Sequence, residues 1–169
     1  MTRLTRTQKL MLAICVVRHV VSTKWLMDSA KEGYFLPVDT YAIHDGAFEE
    51  NFKCDIHETV RNPNRAQLFD GRTFYVTPSV RPSVRELTQM IEACGGKVEK
   101  SRRSVVKIQE ANTQCADSYI ILSCANDLHL LADLTRSGKQ NRIICTTEFI
   151  MRSILTQKID IEPHILKYF

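Results

Sequence analysis

The sequence has no apolar run long enough to cross a membrane. The stretch from Leu10 to Val17 falls well short of the roughly 20 residues a helical span needs, and no cleavage pattern marks a secretory signal. The six cysteines (Cys15, Cys54, Cys94, Cys115, Cys124 and Cys145) form no CxxC pair, and the five histidines are scattered. That spacing argues against a metal site and fits small buried thiols in a reducing compartment. No GxGxxG or P-loop follows a strand, and Gly95-Gly96 ends a helix rather than opening one. No Ser-His-Asp set or carboxylate pair is placed by the sequence either. A nucleotide-binding enzyme is therefore not expected, and neither a catalytic role nor a cofactor is assigned. Charge of one sign is also scarce. The net charge is +4, with 9 basic and 8 acidic residues in 1–69 and 14 and 11 in 70–169. An anionic partner is permitted by this balance but not required. Five cations between Lys97 and Lys107 do not make a shaped basic face, so direct DNA binding is not expected.

What the sequence does contain begins at Thr5–Val17, TRTQKLMLAICVV. Thr5 reads as an N-cap with Gln8 closing a capping box, ahead of apolar Leu10, Met11, Leu12, Ile14, Val16 and Val17. Arg6 and Lys9 lie one turn apart at the helix start. Free backbone N–H groups, the helix dipole and two cations in one place suit an anion; a solvated basic turn is the alternative. His19-Val20-Val21 follows as a short strand. A helix from Lys24 to Glu32 then ends at Gly33, with Trp25 expected to fill the space between it and a sheet. Ala47 to Val60 reads as one amphipathic helix, broken by Arg61-Asn62-Pro63-Asn64.

The second part is more complete. Thr73–Thr77 is a strand. Ser83 and Glu86 form a capping box for a helix to Ala93, and Gly95-Gly96 stops it before a strand at Lys97–Glu99. Ser101–Asp117 reads as a polar surface loop or a partly disordered stretch, with Arg102, Arg103 and Lys107 solvated. Tyr119–Cys124 is a continuous apolar strand, Asn126 caps a helix to Arg136, Arg142–Cys145 is a strand, and Glu148–Gln157 is a last helix. Ile165, Leu166, Tyr168 and Phe169 are expected to pack back onto the domain. Strands separated by helices imply an α/β fold with a parallel sheet covered on both faces.

An internal repeat links the parts. VSTKWLMDS (Val21–Ser29) matches CTTEFIMRS (Cys145–Ser153) in cap, aromatic, aliphatic, Met and Ser, each after a short strand and an Arg (Arg18, Arg142). With Gly95-Gly96 and the stretches TRTQKLMLAICVVRHVVSTKWL, FYVTPSVRPSVRELTQMIEACGGKV and ILSCANDLHL, this resembles the BRCT domain. The paired arrangement resembles the tandem BRCT modules that bind phosphoserine peptides. The resemblance implies an α/β tandem BRCT fold, each repeat a parallel four-stranded sheet flanked by helices, with the first repeat truncated. Residues 1–45 would be its back half, 46–69 an inter-repeat linker with a helix, and 70–169 the second repeat.

The resemblance also assigns a site. Lys9, with Thr7 beside it, would bind phosphate. Arg6 would read the third residue past the phosphoserine, in a pocket between repeats involving Met11, Arg81, Pro82 and Met151. The strand and loop that carry the remaining hydroxyl and amide contacts have no counterpart in this sequence. The phosphate cradle is therefore expected to be incomplete, and the chain alone to bind phosphopeptide poorly. Exposed apolar surface is expected to follow, with a dimer or swapped assembly through the truncated repeat as one outcome. The implied role is a phosphopeptide-binding module of a nuclear DNA-damage-response scaffold, with a phosphorylated tail such as a phosphorylated histone variant as partner and no membrane. A phosphate-independent interaction domain is the alternative.

Overall fold

The computed structural model describes residues 3–136 and 142–167. Within the second unit, β1 (Thr73–Val76), β2 (Lys97–Glu99), β3 (Tyr119–Leu122) and β4 (Ile143–Cys145) make one parallel sheet in the order β2-β1-β3-β4. Central β3 is buried at every position, as a strand covered on both faces must be. Its side chains alternate between two apolar layers. Ile120 and Leu122 pack into the layer with Leu87 of α5 (Val84–Ala93) and Phe149 of α8 (Glu148–Thr156). Tyr119 and Ile121 join Ile108 of α6 (Val105–Gln114) and Leu134 of α7 (Ala132–Arg136).

Local chemistry sets the crossover from α5 to β2. Ser83 and Glu86 form both halves of the expected capping box at the α5 start. At the other end Gly95 has φ +85°, and a Cβ there would strike the Asp70 carboxylate and lie 2.7 Å from the Ala66 carbonyl oxygen. A Cβ on Gly96 would lie 2.6 Å from the Ile91 side chain and 3.0 Å from Phe69. The turn is thus closed to any residue with a side chain.

The N-terminal part is built differently. α1 (Gln8–Val16) turns Met11, Ile14 and Cys15 into the core that α5 and α8 share, and Met11 and Ile14 are fully buried. Burial of each contributes about 1.5–3 kcal/mol. Arg65 seals the far end of α1, donating to the carbonyls of Ile14 (3.2 Å) and Val16 (3.4 Å), where a cation also suits the helix dipole. α3 (Gly46–Phe52) and α4 (Ile56–Arg61) tie this layer to α8. Arg152 donates to the Phe52 carbonyl at 2.6 Å, and the Thr59 hydroxyl donates to the Leu155 carbonyl at 2.7 Å.

Several expectations need correction. Thr5 is not the cap of α1: Asp45 takes the Leu4 amide (2.7 Å), residues 3–6 run on ahead of the helix, and Thr7 caps it by accepting from the Leu10 amide (3.2 Å). His19–Val21 is not a sheet strand, and only an isolated antiparallel bridge joins Val21 to Ala42. Trp25 therefore has no sheet to pack on. It stacks on Phe35 with ring centroids 5.5 Å apart and donates to the Leu36 carbonyl at 2.8 Å. The helix expected over Ala47–Val60 is two, parted where Lys53 turns left-handed (φ +51°). The Ser101–Asp117 loop contains α6, capped by Ser104. Arg102 pairs with Asp133 (2.8 Å) and Arg103 with Glu99 (2.7 Å), so neither is merely solvated; Lys107 is exposed. The helix at Asn126 begins as a 3-10 turn, Ala125–Leu131, before α7. Ile165 bridges Cys145 and the Leu166 amide donates to Ile144, while Tyr168 and Phe169 lie outside the described residues.

Candidate functional site

The starts of three helices meet at the seam between the two parts. Arg6, just ahead of α1, reaches α8: its guanidinium donates to Glu148 at 2.6 Å and lies over the Phe52 ring, 4.8 Å from the centroid. Glu148 sits in the first turn of α8, where a carboxylate also suits the helix dipole. Next to it, the Thr147 hydroxyl donates to the Arg81 carbonyl at 2.6 Å, which joins the start of α8 to the loop that enters α5. In that loop the Ser83 hydroxyl, and then its backbone N–H, hold the Glu86 carboxyl below the usual range.

Sequence-predicted residues fall into two groups at this seam. Lys9 is exposed on the first turn of α1 and makes no hydrogen bond or ion pair with any described residue. Thr7 is exposed beside it, its oxygen already accepting the Leu10 amide while its O–H stays available to donate. Arg6 is half-buried and fixed by Glu148, so its remaining N–H groups are aimed rather than loose. Arg81 is exposed and Pro82 half-buried, joined by a cis peptide. Met11 and Met151 differ from the expectation. Met11 is fully buried and Met151 is 5 % exposed, because the apolar face of α1 packs directly on α8. They lie beneath the seam and do not line an open pocket.

Glu148, Thr147 and Phe52 were not among the residues expected at the site; Glu148 was expected only as the start of the last helix. Glu148 had one visible cue, an acid at the start of a helix; nothing local signals that an arginine 142 positions away meets it. Among the described residues no group of three His, Cys, Asp or Glu side chains is placed to hold a metal ion. No helix among them is long and apolar enough to cross a membrane.

Comparison with known proteins extends this picture. PAX-interacting protein 1 of Bos taurus is 33% identical over 164 residues, an alignment that covers 96% of this chain and 16% of that protein. Mediator of DNA damage checkpoint protein 1 of Homo sapiens is 27% identical over 164 residues, covering 97% of this chain and 7% of the relative. The chain thus spans only a small part of the curated relatives it matches. Among solved structures, the BRCT5-BRCT6 domains of S. pombe Brc1 superimpose with a TM-score of 0.75 at 18% identity, covering 97% of this chain and 79% of that one. Rtt107p, solved in complex with a phosphorylated histone, gives a TM-score of 0.62 at 16% identity over 98% of this chain and 73% of its own. These two likenesses establish the fold of a tandem BRCT pair. The model of the BRCT domain family matches residues 67–164, the stretch that carries the four-stranded sheet and the Gly95-Gly96 turn, and on that match the chain belongs to the BRCT domain family.

Proposed function

We propose that this chain is a phosphoserine-peptide-binding, protein-interaction module of a nuclear DNA-damage-response scaffold, with its phosphate cradle incomplete in this chain so that absolute affinity is weak, and that it binds rather than catalyses. Residues 1–45 act as the back half of a first repeat, 46–69 as the linker and 70–169 as the second repeat. The observation that carries the reading is the state of Lys9: a cation at a helix start, exposed, without a partner among the described residues, and two positions on from the capping Thr7. A dianionic phosphate takes up such a group readily, and the helix dipole adds to the attraction. Arg6, fixed against Glu148 and Phe52, is aimed at the same seam and reads the third residue past the phosphate through its backbone or a terminal carboxylate. Arg81 and Pro82 border that contact. Similarity to DNA-damage-checkpoint relatives, and to a structure solved with a phosphorylated histone, supports a phosphorylated protein tail as the ligand class.

A titration with paired phosphoserine and serine peptides tests this. With Lys9 and Thr7 as the phosphate contacts in this chain, a preference of about tenfold for the phosphorylated form is expected, in line with a net charge-assisted hydrogen bond. Equal affinity for the two peptides contradicts it. A second reading, contact with a partner independent of phosphate, draws on the exposed Leu26, Met27 and Phe35 of the N-terminal part. Under that reading Lys9→Met leaves binding unchanged; under the first it abolishes the preference for phosphate.

A further inference from the structure

The residues ahead of α1 form one wall of a groove that the phosphate contact does not use. α3 forms the other wall. The groove has a volume of about 650 Å3 and is bordered by Arg3, Arg6, Ala47, Phe48, Asn51 and Phe52, with Leu4, Thr5 and Asp45 completing it. At its floor half-buried Phe52 packs on buried Phe48, ring centroids 4.6 Å apart. Asp45 is the only carboxylate among the described residues that line it, and both of its oxygens are engaged. One accepts the Leu4 amide at 2.7 Å and the other the Phe48 amide at 3.1 Å. Arg3 and Asn51 are exposed and make no hydrogen bond or ion pair with any described residue, although the Arg3 charge is near enough to Asp45 to help hold its carboxyl below the ordinary range. The groove therefore combines an apolar floor, two guanidinium groups at the rim and a free primary amide able to pair with a peptide backbone.

Arg6 belongs to both places. It is the residue at the seam that meets Glu148 and the residue whose guanidinium covers Phe52 at the end of the groove. Lys9 is not among the residues that line the groove, whereas Arg6 is. We infer that this groove holds the residues of the phosphorylated partner that run on past the one read by Arg6, and that it favours acidic and apolar side chains there. This rests on the phosphopeptide reading above and extends it: the chain takes an internal phosphosite whose polypeptide continues, and is not confined to a phosphosite near a chain end. The charge is complementary, with exposed Arg3 and the N–H groups of Arg6 not given to Glu148 facing the ligand's carboxylates, and half-buried Phe52 offering the apolar contact.

The test uses two phosphoserine peptides and their unphosphorylated forms. One peptide ends at the third residue past the phosphoserine; the other continues for four more, alternating glutamate and leucine. Titration of the full chain is expected to give about tenfold tighter binding of the longer phosphopeptide. Arg3→Glu and Ala47→Glu, both at exposed positions, are each expected to remove that advantage while the shorter phosphopeptide keeps its affinity within about twofold. Circular dichroism verifies that both variants fold. Equal binding of the two phosphopeptides by the unaltered chain, or an advantage that survives both substitutions, overturns the groove assignment and leaves the phosphate reading intact. Unphosphorylated peptides that bind as well as their phosphorylated forms overturn the phosphate reading instead. Binding of neither phosphopeptide overturns both.

Discussion

α2 (Thr23–Glu32) and α8 carry matching sequences and live in opposite surroundings. In α8 the residues Phe149, Ile150 and Met151 are all buried, whereas their counterparts in α2 are Trp25, half-buried, and Leu26 and Met27, about 60 % exposed (60% and 62%). Only Ser29, the counterpart of buried Ser153, is buried in both. The pattern of a helix thus determines which side is apolar but not whether anything covers it. α8 is covered by the sheet, α1 and α4; α2 meets the chain just after it, through the Trp25–Phe35 stack, hydrogen bonds from Trp25 to the Leu36 carbonyl and from the Leu36 amide to Ser29, and one from Tyr41 to Asp28. Most of the chain's hydrophobic stabilisation therefore comes from the second unit and from α1 docked onto it.

Substitutions at paired positions expose this contrast most strongly. Met151→Glu would bury an unpaired charge among α1, α5 and α8 and is expected to cost about 3–5 kcal/mol in denaturant unfolding, against less than about 0.5 kcal/mol for Met27→Glu on the surface. Similar costs for the two would break the comparison. Phe149→Ala removes a fully buried ring packed against Phe69, at a cost of about 3–5 kcal/mol. Trp25→Ala loses a half-exposed stack and one hydrogen bond, about 1–2 kcal/mol. Unfolding midpoints of the two variants measure the difference directly.

Hydrogen exchange sharpens the contrast without any substitution. Amides of β1 and β3 are expected to exchange only by global opening, and those of α2 by local opening at least about tenfold faster. Uniform protection across both would show that α2 is covered in solution after all.

The smallest effect concerns acid. Hydrogen bonds from the Leu4 amide, and then from the Phe48 amide, lower the Asp45 pKa from its ordinary value. A depressed folded-state pKa means that the tether of residues 3–6 to α3 is intact above the ordinary aspartate range and is lost as pH falls through the lowered value. Side-chain NMR titration of Asp45 is expected to show that lowered midpoint, and Asp45→Asn to loosen the Leu4 amide in hydrogen exchange. An ordinary midpoint contradicts the tether.

Legibility in the sequence followed the range of the interactions. The Ser83–Glu86 box and the Gly95-Gly96 turn are local, and both could be placed from a few residues. α6 was hidden by its polar composition. Its buried side is fixed by Asn112, whose amide bonds both the N–H (2.7 Å) and the carbonyl (2.9 Å) of Tyr119 on β3, a pairing no periodicity reveals. At the proposed site, Lys9, Thr7 and Arg6 could be named as candidates because resemblance places them on one helix start. Glu148 could not, since its meeting with Arg6 depends on how α1 packs on α8. The burial of Met11 has the same cause: its apolar character was evident, but the helix packed over it was not.

The most direct test is calorimetric titration of the full chain and of Lys9→Met with one peptide in phosphoserine and serine forms. The unaltered chain is expected to favour the phosphorylated form by about tenfold and Lys9→Met to bind both alike. A preference that survives in Lys9→Met, or no preference in the unaltered chain, would show that the exposed cation at the start of α1 is not a phosphate contact.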